Sequence, residues 1–206
     1  LIWLEIDQII RERTAGKRSI DDFALAFFGM NPGDYGQLPF EVDEIVSKLN
    51  RIAPYDWTGL IQTRINTPGQ PAPVGGIEKG GYRLVWKAEP NPFTKAAMAE
   101  AKLLSLTHSL GLVLDKDGKV TATQWDGPAF NAGIVPGAKL LAVNGVAYEA
   151  EALKAAITAA RGGALLDLLV QRGERFQSVR IDYRGGLRWP WLERAAPGTA
   201  PTGLDL

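Results

Sequence analysis

The spacing of apolar residues changes along the chain. Up to about residue 66 they recur every three or four positions, which indicates amphipathic helices. The predicted helices cover residues 1–14, 19–29, 41–53 and 56–65. Ser19 and Asp56 are typical N-cap residues for the second and fourth of these helices. The first part of the chain is therefore predicted to be a helical subdomain, residues 1–66.

The next segment, residues 67–104, is predicted to be a connection with some regular structure. Residues 67–76 contain three prolines and three glycines, which favours an irregular path. Alternation of apolar and polar residues over 81–88 then predicts a strand. Residues 91–106 predict a helix, with Thr94 as a candidate cap.

From Ser105 onward the apolar period is close to two. Short predicted strands at 110–115, 119–124, 139–145, 165–173 and 176–183 are separated by glycine-containing turns. One helix, Glu149–Ala160, interrupts them. Residues 105–194 are therefore predicted to form a β-rich module with one main helix, which makes the whole chain α+β. Residues 195–206 have no pattern and are predicted to be disordered.

The first predicted helix is apolar over more of its circumference than a surface helix needs. Leu1, Ile2, Trp3 and Leu4 are followed by Ile6, Ile9 and Ile10. A helix at the edge of a domain shows a narrower apolar stripe. We therefore expect neighbours on more than one side, and we expect the chain to be a fragment of a longer protein.

Composition excludes several classes of site. Lysine plus arginine equals aspartate plus glutamate at 23 each, so no global field favours nucleic acid or a membrane surface. The chain has no cysteine and one histidine, His108, which excludes a thiol nucleophile and a histidine-rich zinc site. No apolar run reaches the ~18 residues of a membrane span.

Other local patterns have plain structural interpretations. Asp115–Lys119 lacks the later ligands of a calcium loop and favours an Asp-Gly hairpin turn. His108 beside Ser109 favours a solvated loop histidine over a catalytic pair. The acidic pairs Asp21/Asp22 and Asp43/Glu44 suit the first turns of helices. Trp189-Pro190-Trp191 favours packing of the C-terminal segment over a binding platform.

The β-rich module resembles a bacterial PDZ domain. Four motifs carry the resemblance: "SLGLVL" from Ser109, "DGPAFNAGIVPGAKLLAVNG" from Asp126, "ALKAAI" from Ala152 and "LLVQRG" from Leu168. They occur in the family's order over residues 109–182. The chain departs from the family at Gly127, where serine is common, and at Ala138-Lys139, where an aspartate usually follows the glycine.

The PDZ resemblance implies a peptide-binding groove. In that family an apolar-Gly-apolar loop offers backbone N–H groups to a C-terminal carboxylate, and the adjacent strand pairs with the peptide. The implied loop is Ser109, Leu110, Gly111 and Leu112, and the implied opposite wall is Leu153, Ala156 and Ile157. The alternative is that these residues are core and that the module binds nothing tightly. The implied partner is a polypeptide C-terminus or an internal segment of the parent protein.

The chain also resembles the C-terminal part of the glycyl aminopeptidase family, thermolysin-like zinc metallopeptidases that carry a PDZ domain. The features are an apolar helix ending in Arg-x-Arg at Arg13, then "GKRSIDDF" from Gly16, and "RGGLRWPWLER" from Arg184. The resemblance implies a zinc aminopeptidase parent, often exported to the periplasm in Gram-negative bacteria. The family's His-Glu-x-x-His motif is absent, so no catalytic or metal residue is carried over and the fragment itself is expected to need no cofactor.

The sequence thus predicts a peptide- or protein-binding PDZ module at the end of a metallo-aminopeptidase. The alternative function is structural, with the module packed on the catalytic body without an independent ligand. Groove occupancy distinguishes the two: a groove filled by Arg184–Arg194 or by the C-terminal tail would argue against binding in trans.

Overall fold

The α+β class predicted from the sequence is confirmed. The computed structural model describes residues 1–31 and 33–196. They form two compact units, one of Leu1–Leu84 with the described residues from Leu192, the other of Val85–Trp191. Helices dominate the first unit, and antiparallel strands with one long helix dominate the second. The boundary at residue 84 lies inside the segment that the sequence assigns to a connection.

The first unit is built from five helices among the described residues. They are α1 (Ile2–Arg13), α2 (Ile20–Phe28), α3 (Val42–Ile52), α4 (Trp57–Ile61), which continues as a π-helical turn (Gln62–Asn66), and α5 (Gly75–Lys79). The apolar faces of α1 to α4 meet in one core, made of Ile6, Ile9, Ile10, Phe23, Phe27, Leu49, Ala53 and Trp57. The four helices predicted from the apolar period are confirmed.

Capping explains where α2 and α3 begin. In α2 the Ser19 side chain accepts a backbone N–H of the first turn, and the Asp22 carboxylate accepts the Ser19 N–H at 2.8 Å. That bond, with Arg18 beside it, lowers the pKa of Asp22. Glu41 and Glu44 form the same reciprocal arrangement at α3. The acidic pairs therefore lie in first turns, as predicted.

Helix α1 has neighbours on several sides within the first unit. Six consecutive residues, Glu5 to Ile10, are buried. Glu5 forms a two-bond ion pair with Arg64, with N···O distances of 2.8 and 2.9 Å. Gly76 of α5 lies so close to α1 that a Cβ there would stand 2.5 Å from the Glu5 nitrogen. The sequence does not predict α5, because glycines disfavour helix; here their missing side chains permit the close approach.

The second unit contains two antiparallel sheets. One has the order β2 (Leu103–Leu106), β3 (Leu112–Asp115), β4 (Val120–Thr123). The other has the order β6 (Val146–Ala147), β5 (Lys139–Val143), β7 (Leu166–Arg172), β8 (Arg175–Ile181). Helices α6 (Pro92–Ala101), α7 (Pro128–Asn131) and α8 (Ala150–Ala160) complete it. Strands β1 (Tyr82–Lys87) and β9 (Trp189–Arg194) pair in a further sheet. The boundary between the two units falls within each of these two strands.

At the edges of this module the structure differs from the sequence prediction in two places. The predicted helix 91–106 ends at Ala101, and Leu103–Leu106 is strand β2 instead. Lys102 adopts the left-handed conformation (φ 53°, ψ 42°), which ends the helix. Strand β9 is not among the strands that the sequence predicts. The disorder predicted for 195–206 falls, from residue 197 on, outside the described residues.

Candidate functional site

The structure brings the predicted loop and the predicted helix wall into one apolar core. Ser109 to Gly111 connect β2 to β3, and Leu112 begins β3. Leu153, Ala156 and Ile157 lie on α8. All seven predicted residues are buried, and five of them belong to the same cluster: Leu110, Leu112, Leu153, Ala156 and Ile157. The two predicted walls of the groove are therefore neighbours.

Gly111 gives the loop its shape. Its φ of +76° lies in the left-handed region that glycine adopts without strain. A Cβ at this position would stand 3.2 Å from the Gln124 Cβ. The Gly111 carbonyl accepts the Gln124 N–H at 2.8 Å, and the Leu110 carbonyl accepts the Ala129 N–H at 2.9 Å. The loop is thus fixed to the segment that follows β4.

Ser109 holds the other side of the loop. Its hydroxyl oxygen accepts the Arg188 backbone N–H at 3.1 Å. Ser109 is only 4% exposed, so this hydroxyl is a structural acceptor and not a solvent-facing nucleophile.

Two N–H donors of the loop converge on one oxygen. The Ser109 and Gly111 N–H groups each donate to the Leu106 carbonyl at 3.0 Å. Leu106 is the last residue of β2. The loop predicted to receive a ligand's terminal carboxylate therefore holds a main-chain carbonyl of the same chain.

Strand β3 is paired along both of its edges. On one side β2 pairs with it antiparallel, from Leu103 opposite Asp115 to Leu106 opposite Leu112. On the other side β4 pairs with it, with Leu112 opposite Thr123. A peptide bound by strand addition would run antiparallel to β3 and end at the loop. Strand β2 has this direction and this end point.

Along β2, core-facing leucines alternate with a serine, as side chains of a peptide bound beside β3 would. Leu106 is fully buried, and Leu104 packs partly buried against the same core. Ser105, between them, donates its N–H to the Met98 sulfur at 3.3 Å, and its carbonyl accepts the Trp189 indole N–H at 3.1 Å. The two leucines therefore fill the space between β3 and the core, while the serine backbone is held from outside by α6 and Trp189.

An open cavity of about 530 Å³ lies at the far end of β2. It is lined by α6, β2 and α8 through Met98, Leu103, Leu104, Tyr148 and Lys154, among others. The Tyr148 hydroxyl is buried and finds no hydrogen-bond partner among the described residues. Burial, with Asp115 and Glu149 nearby, raises the pKa of Tyr148. The shared lining places β2 beside the helix wall.

The sequence analysis does not predict β2, the strand that determines whether the groove is open or closed. Its Leu-Leu-Ser-Leu sequence follows a good helix former, Ala-Glu-Ala-Lys, so the helical period extends through it. The alternation of Leu104 and Leu106 around Ser105 is a strand signal that competes with this period. The left-handed Lys102 that separates helix from strand has no such signal, because lysine does not favour that conformation.

The other candidate residues have structural partners. The Asp115 carboxylate accepts the backbone N–H groups of Asp117 and Lys119 at 2.9 Å, so the Asp-Gly hairpin turn is confirmed. The His108 ring packs on Trp86 at 5.1 Å between centroids. Trp189 is buried in the core of the second unit.

Neither a metal cluster nor a membrane helix is found within residues 1–31 and 33–196. No three His, Cys, Asp or Glu side chains there converge as a metal ion requires. The described residues therefore offer no donor set that fits the zinc that the family resemblance implies for the parent. Across the same residues, each helix is too short or too polar to cross a bilayer.

Comparisons with known proteins give structural similarity alone. No protein-family model and no curated protein matches the chain. A solved aminopeptidase N family protein from Idiomarina loihiensis matches 95% of this chain, with a TM-score of 0.60 and 14% identity. The chain spans 33% of that structure's length. The HtrA3 PDZ domain bound to a phage-derived ligand, FGRWV, matches 56% of this chain and 94% of its own, at 16% identity. Its TM-score of 0.28 is too low to establish a shared fold. The chain therefore shares its fold with a region of an aminopeptidase N family protein.

Proposed function

We propose that this chain is the non-catalytic C-terminal region of a zinc aminopeptidase of the glycyl aminopeptidase kind. The fold similarity over 95% of the chain and the motifs near Gly16 and Arg184 support the proposal. The chain has one histidine and no His-Glu-x-x-His motif, so the zinc chemistry of the parent would lie outside it. The parent would hydrolyse peptide bonds near free N-termini.

Zinc added to the isolated chain should produce no aminopeptidase activity. The measurement is release of the chromophore from glycyl and alanyl p-nitroanilides, with and without zinc and with a chelator as control. Chelator-sensitive hydrolysis by the purified chain would show that it carries its own metal site and would contradict the proposal.

Within this region, the second unit acts as a structural module whose strand-binding groove is closed by its own β2. The observation that supports this most directly is the Leu106 carbonyl, which accepts the Ser109 and Gly111 N–H groups of the predicted loop. The register of β2 on β3 supports the same conclusion, since it covers the edge to which a peptide would add. A closed groove stabilises the module without a partner.

A second function, capture of a polypeptide C-terminus in trans, is favoured by the loop itself. Its donors converge on one oxygen, and a carboxylate oxygen would accept the same bonds more strongly than a carbonyl does. The groove residues would be Ser109, Leu110, Gly111 and Leu112, with Leu153, Ala156 and Ile157 opposite.

Peptide titration of the unmodified chain separates the two functions. Labelled peptides ending in Leu-Leu-Ser-Leu, with a free or an amidated terminus, are added and followed by fluorescence anisotropy. The closed groove predicts no saturable binding of either peptide. Binding of the free form with much weaker binding of the amidated form would overturn the structural role and establish the second function.

A further inference from the structure

The first part of the segment that closes the groove is less buried than the core that the segment covers. We call Asn91–Leu106, which comprises α6 and β2, the strap. No residue of α6 is buried. The left-handed Lys102 joins the helix to the strand. Segments with few buried contacts open at low free energy, and the core strands of the same domain do not.

Few side-chain anchors fasten the strap from outside. The Asn91 amide nitrogen donates to the Pro190 carbonyl at 2.9 Å, and the Asn91 side-chain oxygen caps α6 by accepting the Thr94 N–H at 2.8 Å. From outside the strap, the Trp189 indole N–H also donates to the Ser105 carbonyl at 3.1 Å. Met98 accepts the Ser105 N–H and so links α6 to β2 within the strap. Trp189 is buried but Asn91 is half-buried, so the Asn91 anchor can be removed without opening the core.

The other contacts that keep the strap in place are those that a bound peptide strand would make. Leu104 and Leu106 occupy alternate positions on the groove side, and the loop donors hold the final carbonyl. If β2 left, it would uncover an edge of β3, two N–H donors and two apolar positions. An extended chain with apolar residues two apart meets each of these features.

Tethering keeps the groove closed in the unmodified chain. A strand linked through a short connection competes at an effective concentration of about millimolar, so a free peptide at micromolar concentration finds the groove filled. Removing the side-chain hydrogen bonds that anchor the strap lowers the effective concentration of β2 at the groove. The residues of the groove itself are unchanged.

We propose that the strap is a displaceable intramolecular ligand. When it opens, the groove takes a polypeptide C-terminus with leucine-like residues at its last and third-last positions, which take the places of Leu106 and Leu104. The inference rests on the proposed closure of the groove by β2. It adds that the closure is reversible and that the replacing ligand is an apolar-x-apolar C-terminus.

The test uses the full chain with Asn91→Ala, which loses the bond to Pro190 and the cap of α6. Hydrogen–deuterium exchange of residues 103–106 should speed up by about tenfold, the change that loss of one or two ordinary hydrogen bonds produces. Exchange in β7 and β8 should not change. Lys95→Ala, on an exposed position of α6, is the matched control and should exchange like the unmodified chain.

The same variant should bind a labelled Ala-Leu-Leu-Ser-Leu peptide saturably at micromolar concentration, at which the unmodified chain shows no binding. A peptide with serine in place of the final leucine, and an amidated peptide, should each bind more weakly. Unchanged exchange at 103–106, or faster exchange without peptide binding, would overturn the strap as a displaceable ligand. Either result leaves closure by β2 intact, whereas binding by the unmodified chain at micromolar concentration refutes the closure itself.

Discussion

Replacing Leu106 by alanine should lower the free energy of unfolding of the second unit by about 2–5 kcal/mol, the range for fully buried leucines. Leu106 is 0% exposed and lies in the core with Leu110 and Leu112. The loss comes from the transfer free energy of the removed methyl groups and from the cavity left in the core. Urea denaturation, monitored through hydrogen exchange of the amides in β3 and β7, measures this loss of stability.

Leu165→Ala is the matched control for Leu106→Ala. Leu165 is 60% exposed, so its replacement should change stability by no more than about 0.5 kcal/mol. Equal effects of the two substitutions would mean that β2 does not occupy the groove. A folded Leu106→Ala chain should also regain stability when a peptide ending in leucine is added, since the peptide's side chain can fill the vacated space.

Replacing Trp57 by alanine should be the most destabilising single change in the first unit, at about 3–5 kcal/mol. Trp57 is 0% exposed, its indole N–H donates to the Ala53 carbonyl at 2.9 Å, and its ring lies 4.9 Å from that of Tyr55. The substitution creates a large cavity and leaves a buried carbonyl without its donor. Thermal denaturation monitored by circular dichroism measures the effect.

Trp125→Ala supplies the comparison for Trp57→Ala. Trp125 is 80% exposed and packs on Phe130, with centroids 4.5 Å apart. Its removal should change stability by about 0.5 kcal/mol or less. A small effect at Trp57 would show that the helices of the first unit do not share the core described for them.

The closed groove changes how the apolar-Gly-apolar loop is understood. Its sequence suggests a receptor for a carboxylate, and its N–H groups do converge on an oxygen. That oxygen belongs to Leu106, four residues before Leu110 in the same chain. Two N–H groups of the loop, those of Ser109 and Gly111, thus already have an acceptor in the same chain, which supports the proposed structural module over an open receptor.

Elements with local signals can be predicted from the sequence without the structure. Helix α2 follows from Ser19 and Asp22, which cap it, and from apolar residues spaced along one face. The Asp115–Lys119 turn follows from an aspartate that can accept nearby backbone N–H groups and a glycine at φ +80°. The loop at Gly111 and the wall at Leu153 are singled out in another way, by the resemblance of short motifs to those of PDZ domains.

What the groove holds follows from tertiary packing instead. Leu103–Leu106 has a sequence that suits either a helix continuing from α6 or a strand, and local propensity does not separate the two. The strand forms because Leu104 and Leu106 bury their side chains against the core while β3 satisfies the backbone. That gain depends on α8 and β3, which lie far along the chain or beyond a turn. The state of the site is therefore a property of packing between distant residues, which no local pattern records.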